Sequence, residues 1–133
     1  MVRVVFDTNI YISALHFKSS LPRKLLESVE NEELHLIISP QIMAEMRGVL
    51  RVKFGYIPNK LNLVEELLTS ICIVVDPQKR IRVVIEDADD DKIIECAIEG
   101  DADFIVSGDR HLLNIGSYKG VKIVSAREFW ESL

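Results

Sequence analysis

Apolar residues recur along this chain in two spacings. Short, nearly unbroken apolar runs read as buried strands: "VRVVF" (2–6), "LHLIIS" (34–39), "ICIVVD" (71–76), "DFIVSGD" (103–109) and "GVKIVS" (120–125). Between them the apolar positions fall three and four apart, the period of amphipathic helices. "NIYISAL" (9–15) and "LPRKLLESVENEE" (21–33) fill the first interval, the second with Leu21, Leu25, Leu26 and Val29 on one face. Ser39 is a good N-cap and Pro40 suits the first helical position, so a helix opens there and runs to about residue 54. "GYIP" (55–58) breaks the chain, and "NLVEELLTS" (62–70) resumes it. "DKIIECAIEG" (91–100) ends at Gly100, a common residue after a helix, and "AREFWESL" (126–133) closes the sequence.

Strands separated by helices predict a three-layer α/β/α sandwich around a central, mainly parallel sheet of five strands, with right-handed crossovers. There are no repeats and no linker, and the 133 residues are expected to form a single domain, 1–133. The longest connection, roughly 76–89, is the candidate mobile segment.

Composition narrows the class. The hydrophobic fraction of 48% suits a packed core rather than a disordered chain. No apolar run approaches the ~20 residues that span a bilayer, and no signal peptide is seen at the start, so a soluble, cytoplasmic chain without membrane association is expected. Cys72 and Cys96 are lone thiols in apolar surroundings, expected to be buried and reduced. The net charge of −5 argues against a non-specific nucleic-acid coat. It permits an enzyme that meets phosphates through bound cations, which makes the position of the acids the question.

In open α/β sheets, ligands collect beyond the carboxyl ends of the strands. Asp7 ends the first strand, Asp109 follows the fourth through Ser107-Gly108, and Asp91 opens the helix leading into that fourth strand. Glu45 sits at the edge of the apolar stripe of Ile42, Met46 and Val49, where an acid needs a partner, a proton or a metal. Within the run of Asp87, Asp89, Asp90 and Asp91, Asp91 lies three before Ile94 and seven before Ile98, on the packed face, with Asp90 as the fallback. Each acid alone has an ordinary reading: Asp7 as an N-cap, Glu45 as an exposed helix residue, Asp109 as a turn acid. Their joint placement favours a shared divalent cation, and oxygen-only ligands favour Mg²⁺ or Mn²⁺, as one ion or two.

These residues carry a family resemblance. "VVFDTNIYISAL", "ISPQIMAEM", "DADDDKIIECAIEGDADFIVSGDRHLL" and "GVKIVSAREF" occur in the order and spacing of the PIN-domain family, and the resemblance covers about residues 2–131. The chain thus resembles metal-dependent ribonucleases, among them the toxin halves of many toxin–antitoxin pairs. The resemblance implies an endoribonuclease that hydrolyses RNA phosphodiester bonds to a 5′-phosphate and a 3′-hydroxyl. It implies that Asp7, Glu45, Asp91 and Asp109 are the acidic quartet, at once catalytic and metal-holding. Asp7 and Asp91 would be the primary ligands, Glu45 would hold the metal or orient the water, and Asp109 would bind directly or through water. Asn9, Ser39 and Ser107 fall on supporting positions, Asn9 orienting the first acid.

The resemblance also implies an RNA substrate, an antitoxin protein as partner and a homodimer. The family often reads D-x-D after the fourth strand; here the run is Asp109-Arg110-His111, a departure that bears on a second metal. Arg47, Arg110 and His111 are the candidate RNA contacts, because a phosphate ligand needs cationic neighbours. The competing reading is a non-catalytic binding or scaffold protein of the same fold. A phosphotransfer receiver would need Asp76 and Lys122 as acceptor and cation, and it leaves Glu45 and Asp91 unexplained.

Overall fold

The computed structural model describes residues 1–81 and 90–133. Most of the connection expected over 76–89, with Arg82, Asp87 and Asp89, lies outside the described residues. The elements run β1 (Arg3–Phe6), α1 (Thr8–His16), α2 (Leu21–Glu30), β2 (His35–Ile38), α3 (Pro40–Phe54), α4 (Pro58–Ile71), β3 (Cys72–Val74), α5 (Asp91–Glu99), β4 (Phe104–Val106), α6 (Arg110–Ile115), β5 (Ser117–Tyr118), β6 (Val121–Val124) and α7 (Ala126–Ser132).

The strands form one sheet in the order β3-β2-β1-β4-β6-β5. All pairings are parallel except β5 with β6. The sequence pattern predicts five strands; the sixth is the two-residue β5. It exists because Lys119 and Gly120, with φ of 47° and 86°, make the left-handed two-residue turn that folds Ser117-Tyr118 back onto Val121-Lys122.

The chain moves outward from β1 through β2 to β3, then returns across the sheet to β4 on the other side of β1. Right-handed crossovers place α1 to α4 on one face and α5 on the other. The crevice between β1 and β4 is therefore the switch point of the sheet, where ligands bind in this architecture. The central strands have no exposed side: Val4, Val5, Phe6, Leu36, Ile37, Ile38, Ile105 and Val106 are fully buried in one continuous core. That is why they read as apolar runs rather than alternating patterns.

Local chemistry sets the helix ends. Ser39 caps α3, its Oγ accepting from Ile42 N–H at 3.2 Å, with Pro40 in the first turn. Helix α4 starts at Pro58, four residues before the apolar spacing marks it, because proline fits the first turn without losing a hydrogen bond. Gly100 does end α5, but with φ of −88° rather than in the left-handed region. Packing requires the glycine there: an added Cβ would lie 2.6 Å from Ile37 Cγ2.

Candidate metal centre

The two strands beside the switch point both run into acids. Asp7 follows β1, and its N–H donates to Val106 O of β4 at 2.9 Å. It is the N-cap of α1, with Oδ1 accepting from Thr8 N–H at 2.7 Å. Oδ2 accepts from the Ser107 hydroxyl at 2.7 Å. The same Ser107 Oγ accepts from Asp109 N–H at 2.9 Å. Asp109 caps α6, with Oδ1 accepting from His111 N–H at 2.7 Å. Ser107 is itself held by its N–H on Val124 O of β6 at 3.0 Å. One buried hydroxyl thus ties two acids from two strands into one unit.

The third acid comes from the start of α5. One carboxylate oxygen from each of Asp7, Asp90 and Asp109 lies within 4.8 Å of the others. Asp7 and Asp90 are 6% exposed and Asp109 is half-buried. Asp91 is buried to the same degree as Asp90, as its spacing from Ile94 and Ile98 argues, but the carboxylate grouped with Asp7 and Asp109 is that of Asp90. Asp90 stands just before α5 with helical backbone, four before Ile94 and seven before Ala97, and Asp91 is the first residue of the helix.

Three carboxylates this close repel one another, and a divalent cation is the simplest counterion. The donor set fits one. Oxygens bound at ~2.0–2.1 Å to an octahedral ion lie at most ~4.2 Å apart, so small side-chain rotations would close the trio. Oxygen donors without nitrogen or sulfur suit Mg²⁺ or Mn²⁺.

The other expected residues lie on α1, α3 and α6 and at the end of β2. Glu45 is half-buried on α3, and Asn9 is exposed on the first turn of α1. Ser39 is buried at the end of β2, beside the Cys96 thiol. Arg110 and His111 are exposed next to Asp109. Arg47 is already engaged, with Nη1 2.7 Å from Glu65 Oε2 and 3.4 Å from Asn62 Oδ1 on α4.

Two further polar residues are buried, one on α1 and one on α5. Thr8 is buried next to Asp7, and its hydroxyl has no hydrogen-bond partner among the described residues. Glu95 is buried on α5, accepting from Ile81 N–H at 2.8 Å and lying 3.5 Å from Arg80 Nη1. An acid between Ile94 and Cys96, one turn after Asp91, was the available signal. A groove of about 580 Å³ opens beside Glu95, lined also by Ile81, Ile98, Tyr118 and Lys119, and contains none of the clustered acids. Burial pushes the Cys72 and Cys96 thiols from 9 up to about 12, and burial raises the Tyr11 phenol well above 10.

Residues 3–111 match the PIN-domain family. The chain is 31% identical over 119 residues to the uncharacterized protein MJ1680 of Methanocaldococcus jannaschii, covering 86% of this chain and 75% of that one. Its fold is similar to that of VapBC2 from Rickettsia felis, solved bound to a DNA fragment from its promoter, with a TM-score of 0.63, 16% identity and coverage of 92% and 97% of the two chains. It is likewise similar to PAE2754 from Pyrobaculum aerophilum, with a TM-score of 0.60, 16% identity and coverage of 99% and 88%. No helix among the described residues is long and apolar enough to cross a membrane. With the sequence match over most of its length and an acidic trio at the sheet's switch point, the chain belongs to the PIN-domain family, whose members are in general metal-dependent nucleases.

Proposed function

We propose that this chain is an endoribonuclease that hydrolyses RNA phosphodiester bonds with Mg²⁺ or Mn²⁺ held by Asp7, Asp90 and Asp109. The observation that carries the reading is the convergence of these three carboxylates within 4.8 Å at the β1–β4 crevice. When bound, such a cation polarises the phosphate and lowers the pKa of an attacking water. The protein's own part is to fix the donors in advance. Thr8 N–H and Ser107 Oγ hold both oxygens of Asp7, so that carboxylate need not reorganise when a phosphate arrives. Asp109 is held at its backbone N–H, which donates to Ser107 Oγ, and at Oδ1, which accepts from His111 N–H. Glu45, half-buried on α3, is the residue assigned to orient the attacking water, and Asp91 supports the start of α5. The exposed Arg110 and His111 are assigned to the phosphates of the strand.

The likeness in fold to VapBC2 supports a further part of the reading, in which the chain is a toxin held inactive by an antitoxin protein. The test is cleavage of a mixed set of labelled RNAs with Mn²⁺, with Mg²⁺ and with EDTA, using wild type, Asp7→Asn and Asp90→Asn prepared identically. The reading expects wild type to cut only with a divalent ion and both variants to be inactive. Equal behaviour of wild type and variants, with no Mn²⁺ bound in titration, would leave a non-catalytic scaffold of the same fold.

A further inference from the structure

The basic residues of this acidic chain are not spread evenly. No acid lies between Asp7 and Glu27, nor between Glu45 and Glu65, yet these two intervals hold Lys18, Arg23, Lys24, Arg47, Arg51, Lys53 and Lys60. Packing brings the intervals together at the end of α1 and α3 away from Asp7. His16 ends α1, and its ring lies 4.4 Å from that of Phe54 at the end of α3 and 5.0 Å from that of Phe17. His16 Nδ1 lies 3.3 Å from the Tyr56 hydroxyl, and Lys60 Nζ lies 4.0 Å above the Tyr56 ring. Phe17 is 53% exposed. Arg23 and Arg47 are paired with Glu27 and Glu65, but Lys18, Arg51, Lys53 and Lys60 are exposed and make no ion pair among the described residues.

Helix dipoles account for part of this. Arg51 and Lys53 sit in the last turn of α3 and His16 in the last turn of α1, where cations are favoured. They do not account for Lys60, which sits in the first turn of α4, where the dipole opposes a cation. Nor do they account for Lys18 beyond α1, or for an exposed phenylalanine between it and His16. Cations interleaved with an exposed aromatic surface are the elements of a single-strand nucleic-acid platform: the cations follow the backbone, and the ring stacks a base.

We infer that the surface of Phe17, Lys18, Lys53 and Lys60 anchors single-stranded RNA at a distance from the acidic trio. The α1 helix sets that distance. Its nine residues span ~13.5 Å at 1.5 Å per residue, about four stacked nucleotides at 3.4 Å each. The anchor would therefore hold the strand a few nucleotides from the phosphate at Asp7. This inference rests on the reading of RNA as the substrate, but its test does not need cleavage.

Fluorescence anisotropy of a short labelled single-stranded RNA is measured in EDTA, across salt concentrations. Lys18→Glu/Lys60→Glu is expected to weaken binding by about tenfold or more and to lower the slope of log affinity against log salt by about 1.4, the share of two phosphate contacts. Phe17→Ala is expected to weaken it by about tenfold through lost stacking. The control is Lys119→Glu/Lys122→Glu, which changes net charge equally elsewhere. Equal losses in the two double variants, or no loss in either, overturn the anchor, as does a wild type that binds no RNA. Polyglutamate that binds as tightly, and is lost in the same variants, overturns it too, in favour of a dock for an acidic protein segment. A wild type that binds RNA here but never cuts it with Mn²⁺ sinks the nuclease reading and leaves the anchor standing.

Discussion

The acidic trio has a sheet side and a helix side, and the two are built differently. On the sheet side, Asp7 and Asp109 leave adjacent parallel strands and are tied together by one Ser107 hydroxyl, with Ser107 bonded in turn to β6. Their positions are fixed by the ladder that holds the core. On the helix side, Asp90 stands at the start of α5 and makes no capping bond to that helix. A strand end fixes an acid through its neighbours on both sides, whereas a helix start fixes it mainly through the packing of the helix behind it. The sheet side should thus tolerate no loss, and the helix side should show which of two adjacent acids matters.

The largest effect is expected at Asp7. Asp7→Asn keeps the N-cap oxygen but removes the charge, and should lower Mn²⁺ affinity and RNA cleavage by more than about 100-fold, beyond what loss of a supporting partner costs. Titration calorimetry with Mn²⁺ reads the first and single-turnover cleavage the second. Asp90→Asn should approach that loss, and Asp91→Asn should fall short of it by about tenfold or more. If Asp91→Asn is the more damaging, the trio has been assigned to the wrong member of the pair and the helix start must turn on binding. Ser107→Ala comes next. It removes one hydroxyl that both acids share, and should cost about 10- to 100-fold in Mn²⁺ affinity with the fold intact by circular dichroism. A loss no larger than that of Ser39→Ala, whose hydroxyl caps α3, would mean that the strands alone hold the two acids.

The same contrast explains what could be read from the sequence. Asp7 and Asp109 were legible because an apolar run that stops on an acid marks a strand end, and strand ends in this architecture point to one place. Ser107 was legible only through the family pattern; nothing in its spacing reveals a bond to a residue a hundred positions away. Asp90 and Asp91 were not separable, since both lie on the packed face: Asp90 is four before Ile94 and seven before Ala97, as Asp91 is three before Ile94 and seven before Ile98. Glu95 went unread because an acid within an apolar helix face looks like a solvated interruption until the chain at Ile81 is seen to need an acceptor. β5 was too short to have a period at all; only the Lys119-Gly120 turn could have announced it.

The smallest effect at neutral pH, and the one that tests the packing behind the helix side, lies in the two thiols, Cys96 buried and Cys72 half-buried. Cys96 is on α5, beside Ser39 at the end of β2, and Cys72 begins β3. Burial raises both thiols from 9 to about 12, so the folded protein holds their protons more tightly than the unfolded chain does. The stability this contributes is complete below about pH 9 and is lost as pH rises toward about 12. At pH 8 both thiols should be nearly unreactive toward a thiol-specific reagent until the protein is unfolded. Between pH 9 and 11 the melting temperature of wild type should fall by roughly 5 °C or more beyond that of Cys72→Ala/Cys96→Ala. Parallel melting curves for the two, or rapid labelling of Cys96 at pH 8 in the folded state, would mean that α5 opens readily from the sheet. Asp90 would then be presented by a helix that moves, and the helix side of the trio would have to be completed by the cation rather than before it.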